Sequence, residues 1–382
     1  MIIRVCTALL AALLAVVAAP PPTTAADPAD PAPPRTVSAA DPAPPRTVSA
    51  ADAAPPRTVS AADPAPPRTV SAWLPYWDQE GAYQDALRHA AQLHTVSPFW
   101  YQAISAERID GHPGAGAQRV VDGLHAAGIA VVPTVMETMK PGVLAAILAD
   151  PARRAAHITA LLTVVGSRSY DGLDIDYESI APTGDAGYLA VRADYATFLT
   201  ELCGRLHALA KSCVSTVSPQ TAATGRIWDY AAIGRAADRV RIMAYDRHPR
   251  GGDPGPLAGV DWYEEILRRA TALIPPARIE MALPAYGWDW PAGGGGSARH
   301  VTMREAEALR VAEGVPYTLD PVSMTPHFGY TDGEGVAREV WYQDARGIEA
   351  DLPVLARYGV RNTSLWALDF EDAAVWPVLA RA

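Results

Sequence analysis

Ser169 to Ile180 read SYDGLDIDYESI, a stretch that carries Asp171, Asp174, Asp176 and Glu178. Acidic residues are poor strand formers, yet Leu173, Ile175 and Tyr177 alternate with these acids at the two-residue period of a strand. On such a strand Asp174, Asp176 and Glu178 share one face, and the three apolar residues share the other. Asp171 breaks the spacing and is read as structural. Carboxylates crowded together cannot all ionise freely, so at least one pKa rises. A carboxyl group that keeps its proton near neutral pH suits proton donation to a glycosidic oxygen. The order of the acids assigns that proton to Glu178, with Asp176 charged or sharing a proton with Asp174. Aligned carboxylates also hold divalent cations, but the run lacks the Asn, Gly and carbonyl pattern of calcium loops. No metal and no cofactor is expected.

The acids need a scaffold that turns one strand face inward. From about Thr69 onward, short apolar runs alternate with stretches of helical period. The candidate strands are TVSAWLPYW, HTVSPFWYQAI, IAVVPTVME, YDGLDIDYES, CVSTVSP, RVRIMAYD, RIEMALPAYGWDW and RNTSLWALDF. Eight strands interleaved with helices predict an α/β fold, a (β/α)8 TIM barrel, with catalytic groups at the C-terminal mouth. A doubly wound sheet would carry a Gly-rich turn after its first strand, and AWLPYWDQEGAY has none. The segment 291–344 is too long for one crossover. It predicts a small α+β insertion between strands 7 and 8, followed by a last helix near 345–358.

The rest of the chain bounds the context. It has 382 residues, 49% of them hydrophobic, and a net charge of −10. That balance fits a packed globular protein and disfavours nucleic acid or anionic lipid as partners. Residues 1–26 read as a signal peptide, with Arg4, an apolar core and small residues at a cleavage site. An extracellular or cell-wall-associated location follows, with no membrane span after cleavage. Residues 27–67 repeat ADPAPPRTVSA and read as a Pro-rich spacer. The domain itself is expected over 68–382, as a monomer. Two cysteines remain after cleavage. Cys203 on a helix and Cys213 on the following strand leave the disulfide undecided, since ~10 Å of helix separates Cys203 from the helix end.

DGLDIDYE resembles the D-x-x-D-x-D-x-E signature of glycoside hydrolase family 18, the chitinase-like family, and it falls on the fourth candidate strand. IMAYD, LPAYGWDW and SLWALDFED resemble the family's segments on strands 6, 7 and 8. VWYQDARGIEADL resembles the spore-cortex and peptidoglycan-associated branch. The resemblance implies a retaining, substrate-assisted reaction on β-linked N-acetylglucosamine polysaccharide, chitin or peptidoglycan glycan. It implies Glu178 as general acid, Asp176 against the substrate acetamido group, Asp174 behind it, Tyr245 donating to the acetamido oxygen and Asp246 bracing the site. Trp366 would floor the sugar, and Met243 and Tyr286 would line the pocket. Trp288 stands where many chitinases carry arginine. Trp73, Tyr76, Phe99 and Trp100 are further candidate platforms. A non-catalytic carbohydrate-binding barrel is the alternative. It turns on Glu178, since inactive members commonly lose that glutamate.

Overall fold

Eight parallel strands build the core of the computed structural model, which describes residues 68–180, 187–222, 224–294 and 296–381. The regions expected to form the signal peptide (1–26) and the Pro-rich spacer (27–67) lie outside the described residues. The strands are β1 (Thr69–Pro75), β2 (Thr95–Ala103), β3 (Thr134–Glu137), β4 (Gly172–Asp176), β5 (Ser212–Val217), β6 (Arg239–Met243), β7 (Ile279–Pro284) and β8 (Asn362–Trp366). Each pairs with the next, and β8 pairs back onto β1, closing the barrel. Helices lie between most of the strands, as a parallel connection requires.

The expected third strand is interrupted at Val132 and Pro133: Ala130–Val131 pair with β2 first, and pairing resumes at Thr134. Proline lacks the N–H a ladder needs. The expected seventh strand divides as well. At Ala285 its backbone N–H donates to the Trp366 carbonyl. From Tyr286 the chain leaves the barrel for a five-stranded antiparallel sheet. That sheet lies between β7 and β8, starts five residues before the expected 291, and ends at Tyr342. A helix, Met303–Ala312, belongs to the same insertion and starts with a Thr302/Glu305 capping box. Inside the sheet, buried Asp289 is held by Arg299, Arg338 and the Tyr330 hydroxyl.

Cys203 and Cys213 form a disulfide with Cα atoms 5.3 Å apart. The helix Tyr188–Ala208 stops just before a reversal at Ala210, where φ is +55°. The Lys211 N–H donates to the Leu206 carbonyl, and β5 then runs back along the helix. Distance measured along the helix axis therefore overstates the separation. The bridge closes a loop of sequence separation 10. Replacing both cysteines by serine is expected to cost about 2–3 kcal/mol of stability. Chemical denaturation would show it as a lower midpoint with turnover unchanged.

Candidate active site

β4 turns its acids into the barrel because its neighbours supply partners for them. Asp174 is fully buried. Thr134 on β3 and Thr216 on β5 donate hydroxyls to it at 2.8 and 2.7 Å. The Arg241 guanidinium on β6 donates to it at 2.8 Å. Arg241 also pairs with Glu280 on β7, is fully buried, and lies over the Trp73 ring. Leu173, Ile175 and Tyr177 face outward into the helix layer. The Tyr177 hydroxyl meets His157 at 2.8 Å there. Asp171 accepts from His125 and from the Val131 N–H, away from the lumen.

One step toward the mouth, Asp176 is buried and its Oδ1 has no donor among the described residues. Burial raises its carboxyl well above the ordinary range, and Glu178, Asp174 and Glu137 add like charge. Glu178 stands past the strand end with its side chain reached by solvent. The crowding walls desolvate its carboxyl and raise it too, with Glu137 and Asp246 reinforcing the shift. Both carboxyls are thus pushed up: Glu178 as expected, and the deeper Asp176 along with it.

The turn carrying Glu178 is fixed from β3. Glu137, itself buried, accepts the backbone N–H of Glu178 at 2.9 Å and that of Ser179. This anchor went unread in the sequence, although an acid at the C-terminal end of a barrel strand was the available signal.

Tyr245 and Asp246 follow β6. Burial and the facing Asp176 and Glu178 hold the Tyr245 phenol neutral, so it can only donate toward an anion or carbonyl there. Asp246 Oδ1 accepts from the Tyr286 hydroxyl at 2.6 Å and the Trp288 indole at 2.8 Å. Trp288 therefore acts as a brace for Asp246, as Tyr286 does. Trp366 lies half-buried at the end of β8, with Phe99 edge-on at 5.3 Å. These groups surround a cleft of about 320 Å³ that also touches Met243 and His300. A second lobe of about 540 Å³ opens between the loop after β5, Arg247 and Trp262. Both lobes touch Glu178, Met243, Tyr245 and Asp246. Glu178 therefore stands where the two lobes meet.

Two expected platforms are core residues. Trp73 is fully buried beneath Trp366, ring centroids 5.3 Å apart, and Trp100 is fully buried with its indole on Gln79. Trp73 points into the lumen below the mouth, whereas Trp100, the residue after cleft-lining Phe99, turns to the other face of β2. Tyr76 stacks on His112. The rim aromatic is instead Trp77, 52% exposed and lining the cleft. It is the last residue of TVSAWLPYW and so the one nearest the mouth. His300 comes from the insertion and had no sequence signal.

The sequence profile described as Glycosyl hydrolases family 18 matches residues 142–371, more than half of the chain and all of β4 to β8. The chain belongs to glycoside hydrolase family 18. Among its family relatives, the cortical fragment-lytic enzyme of Bacillus anthracis is 29% identical over 61% of this chain and 54% of that protein. The uncharacterized glycosylase YvbX of Bacillus subtilis is 26% identical over 58% of this chain and 64% of its own length. The chain therefore spans under two-thirds of these relatives. A chitinase from Chromobacterium violaceum superposes with a TM-score of 0.72 at 25% identity, covering 82% of this chain and 98% of that one. The Bacillus cereus spore cortex-lytic enzyme SleL gives the same score and identity, over 82% and 73%. Among the described residues, no helix is long and apolar enough to cross a membrane, and no group of three or more His, Cys, Asp or Glu is placed to hold a metal ion.

Proposed function

We propose that this family 18 chain is a secreted, retaining glycosidase that hydrolyses β-linked N-acetylglucosamine polysaccharide by substrate-assisted catalysis. The observation that carries the reading is Glu178 at the junction of two cleft lobes, above Asp176 and Tyr245 and across from the Trp366 floor. A sugar lying on Trp366 places its 2-acetamido group toward Asp176 and Tyr245. Glu178 gives its proton to the glycosidic oxygen, and the leaving saccharide departs into the larger lobe. The acetamido carbonyl oxygen attacks the anomeric carbon from the opposite side and forms an oxazolinium ring. Asp176 accepts the acetamido N–H, and Tyr245 donates to the acetamido oxygen. Glu178, now ionised, takes a proton from water, and the hydroxide opens the ring with overall retention.

Chitin and peptidoglycan glycan both present this chemistry, and the names of the relatives include a chitinase and cortex-lytic enzymes. The N-terminal signal-like segment supports export. The purified chain is expected to release fluorophore from an N-acetylchitobioside and none from the matching cellobioside. Equal release from both, or none from the N-acetylated substrate, would refute the reading. Reducing ends released from sacculi and from colloidal chitin would then rank the two polymers.

A further inference from the structure

The barrel interior holds a cation that the proposed reaction does not use. Arg241 sits on β6 two residues below Met243, so strand alternation points both side chains inward. Its Nη1 donates to Asp174 at 2.8 Å and to Ser97 at 3.1 Å. Its Nη2 donates to Ser71 at 3.2 Å, and its Nε donates to Glu280. Both acids are buried with it.

Asp174 and Asp176 face one another's charge but have opposite surroundings. Both Asp174 oxygens are occupied by donors: Thr216 reaches Oδ1, while Thr134 and Arg241 reach Oδ2. A carboxyl that accepts three hydrogen bonds, one of them from a guanidinium, is stabilised as an anion. Asp176 has an oxygen without any donor among the described residues and is hemmed in by acids. An added proton relieves both conditions there. The charged and titratable groups around this pair are Glu137 from β3, Glu178 beyond β4, and Tyr195 from the helix outside. On the β6 and β7 side they are Arg241, Tyr245 and Glu280. Burial leaves the Asp174 carboxyl raised, with Glu280 adding to the rise and Arg241 and the two threonine hydroxyls opposing it.

We propose that Arg241 is a positioning residue that keeps Asp174 an anion, so that the proton of the stacked acids is shared between Asp176 and Glu178 alone. Asp174 then only accepts hydrogen bonds, and Asp176 stays free to turn between Glu178 and the acetamido group. The proposal rests on the glycosidase reading for its kinetic consequence but not for its proton assignment.

The test uses the full chain. Arg241→Gln alone strands two buried carboxylates, so the informative variant is Arg241→Gln/Glu280→Gln, which removes one charge of each sign. Arg241→Lys is the conservative control. Infrared difference spectra of the protonated carboxyl band need no substrate. Buried Glu371 and Asp351 also carry raised carboxyls, so the signal read is the component lost in Asp176→Asn/Glu178→Gln, and that component is expected to persist in Asp174→Asn. In the Arg241→Gln/Glu280→Gln background it is expected to survive Asp176→Asn/Glu178→Gln, because Asp174 now takes the proton. On the fluorogenic chitobioside, kcat of the double variant is expected to fall about tenfold with KM within twofold, and Arg241→Lys to recover most of the loss. A parent band that depends on Asp174, or a double variant with parental kcat and pH profile, would overturn the proposal. If the parent cleaves no N-acetylated substrate, the glycosidase reading fails while the infrared arm still decides where the proton sits.

Discussion

Glu178→Gln is expected to lower kcat about 10³-fold, within the range that positioned general acids contribute. KM should change little, since glutamine keeps the size and the hydrogen-bonding reach. Stability should hold, because the Glu178 side chain is solvent-reached and its position is set by the backbone N–H groups of Glu178 and Ser179, which donate to the Glu137 carboxylate. The pH dependence follows from the direction of the shift. Burial and the neighbouring Glu137 and Asp246 raise the Glu178 carboxyl. The protonated form is the active one, so kcat holds at low pH and falls as pH rises through that raised value. In the glutamine variant this alkaline limb should flatten. A variant as active as the parent would remove Glu178 from the reaction.

Asp176→Asn has the second-largest expected effect. It replaces an acceptor that faces the acetamido N–H and the cation formed in the ring. Losing one such electrostatic contact costs about 10²-fold in kcat. Stability is expected to move the other way. A carboxyl raised in the folded chain keeps its proton there and loses it on unfolding. Stability therefore falls as pH rises from the ordinary aspartate value, about 3.9, through the raised one. Asparagine removes that slope and gives the buried position a neutral group. Thermal melts of both proteins across pH would show the parent losing more stability toward alkaline pH. Parental kcat in the asparagine variant would refute the assigned role.

Much of this was legible from side-chain period alone. The alternation in LDIDYE places Asp174, Asp176 and Glu178 on the lumen side and Tyr177 among the helices, where they lie in the barrel. The barrel followed from eight apolar runs separated by helical stretches. What stayed hidden depended on depth or on partners distant in sequence. Trp73 and Trp77 are four residues apart, and only their height along the barrel separates a core ring from a rim ring. Arg241 shares the inward face with Met243, yet an arginine in RVRIM looks like a surface residue until Asp174 and Glu280 are seen beside it. Glu137 matters through a neighbouring strand's backbone, which no local pattern records. The disulfide was undecided because helix length says nothing about how sharply the chain doubles back at Ala210.

The charged layer formed by Asp174, Arg241 and Glu280 also limits how the sheet can close. A slip of β4 by one residue would carry its acids outward among Leu, Ile and Phe side chains and bring Leu173 and Ile175 against the guanidinium. Every mispaired closure would leave at least one ionic group buried without its counterpart. An all-aliphatic lumen would tolerate such slips far better, so these three residues act as a lock on strand alignment.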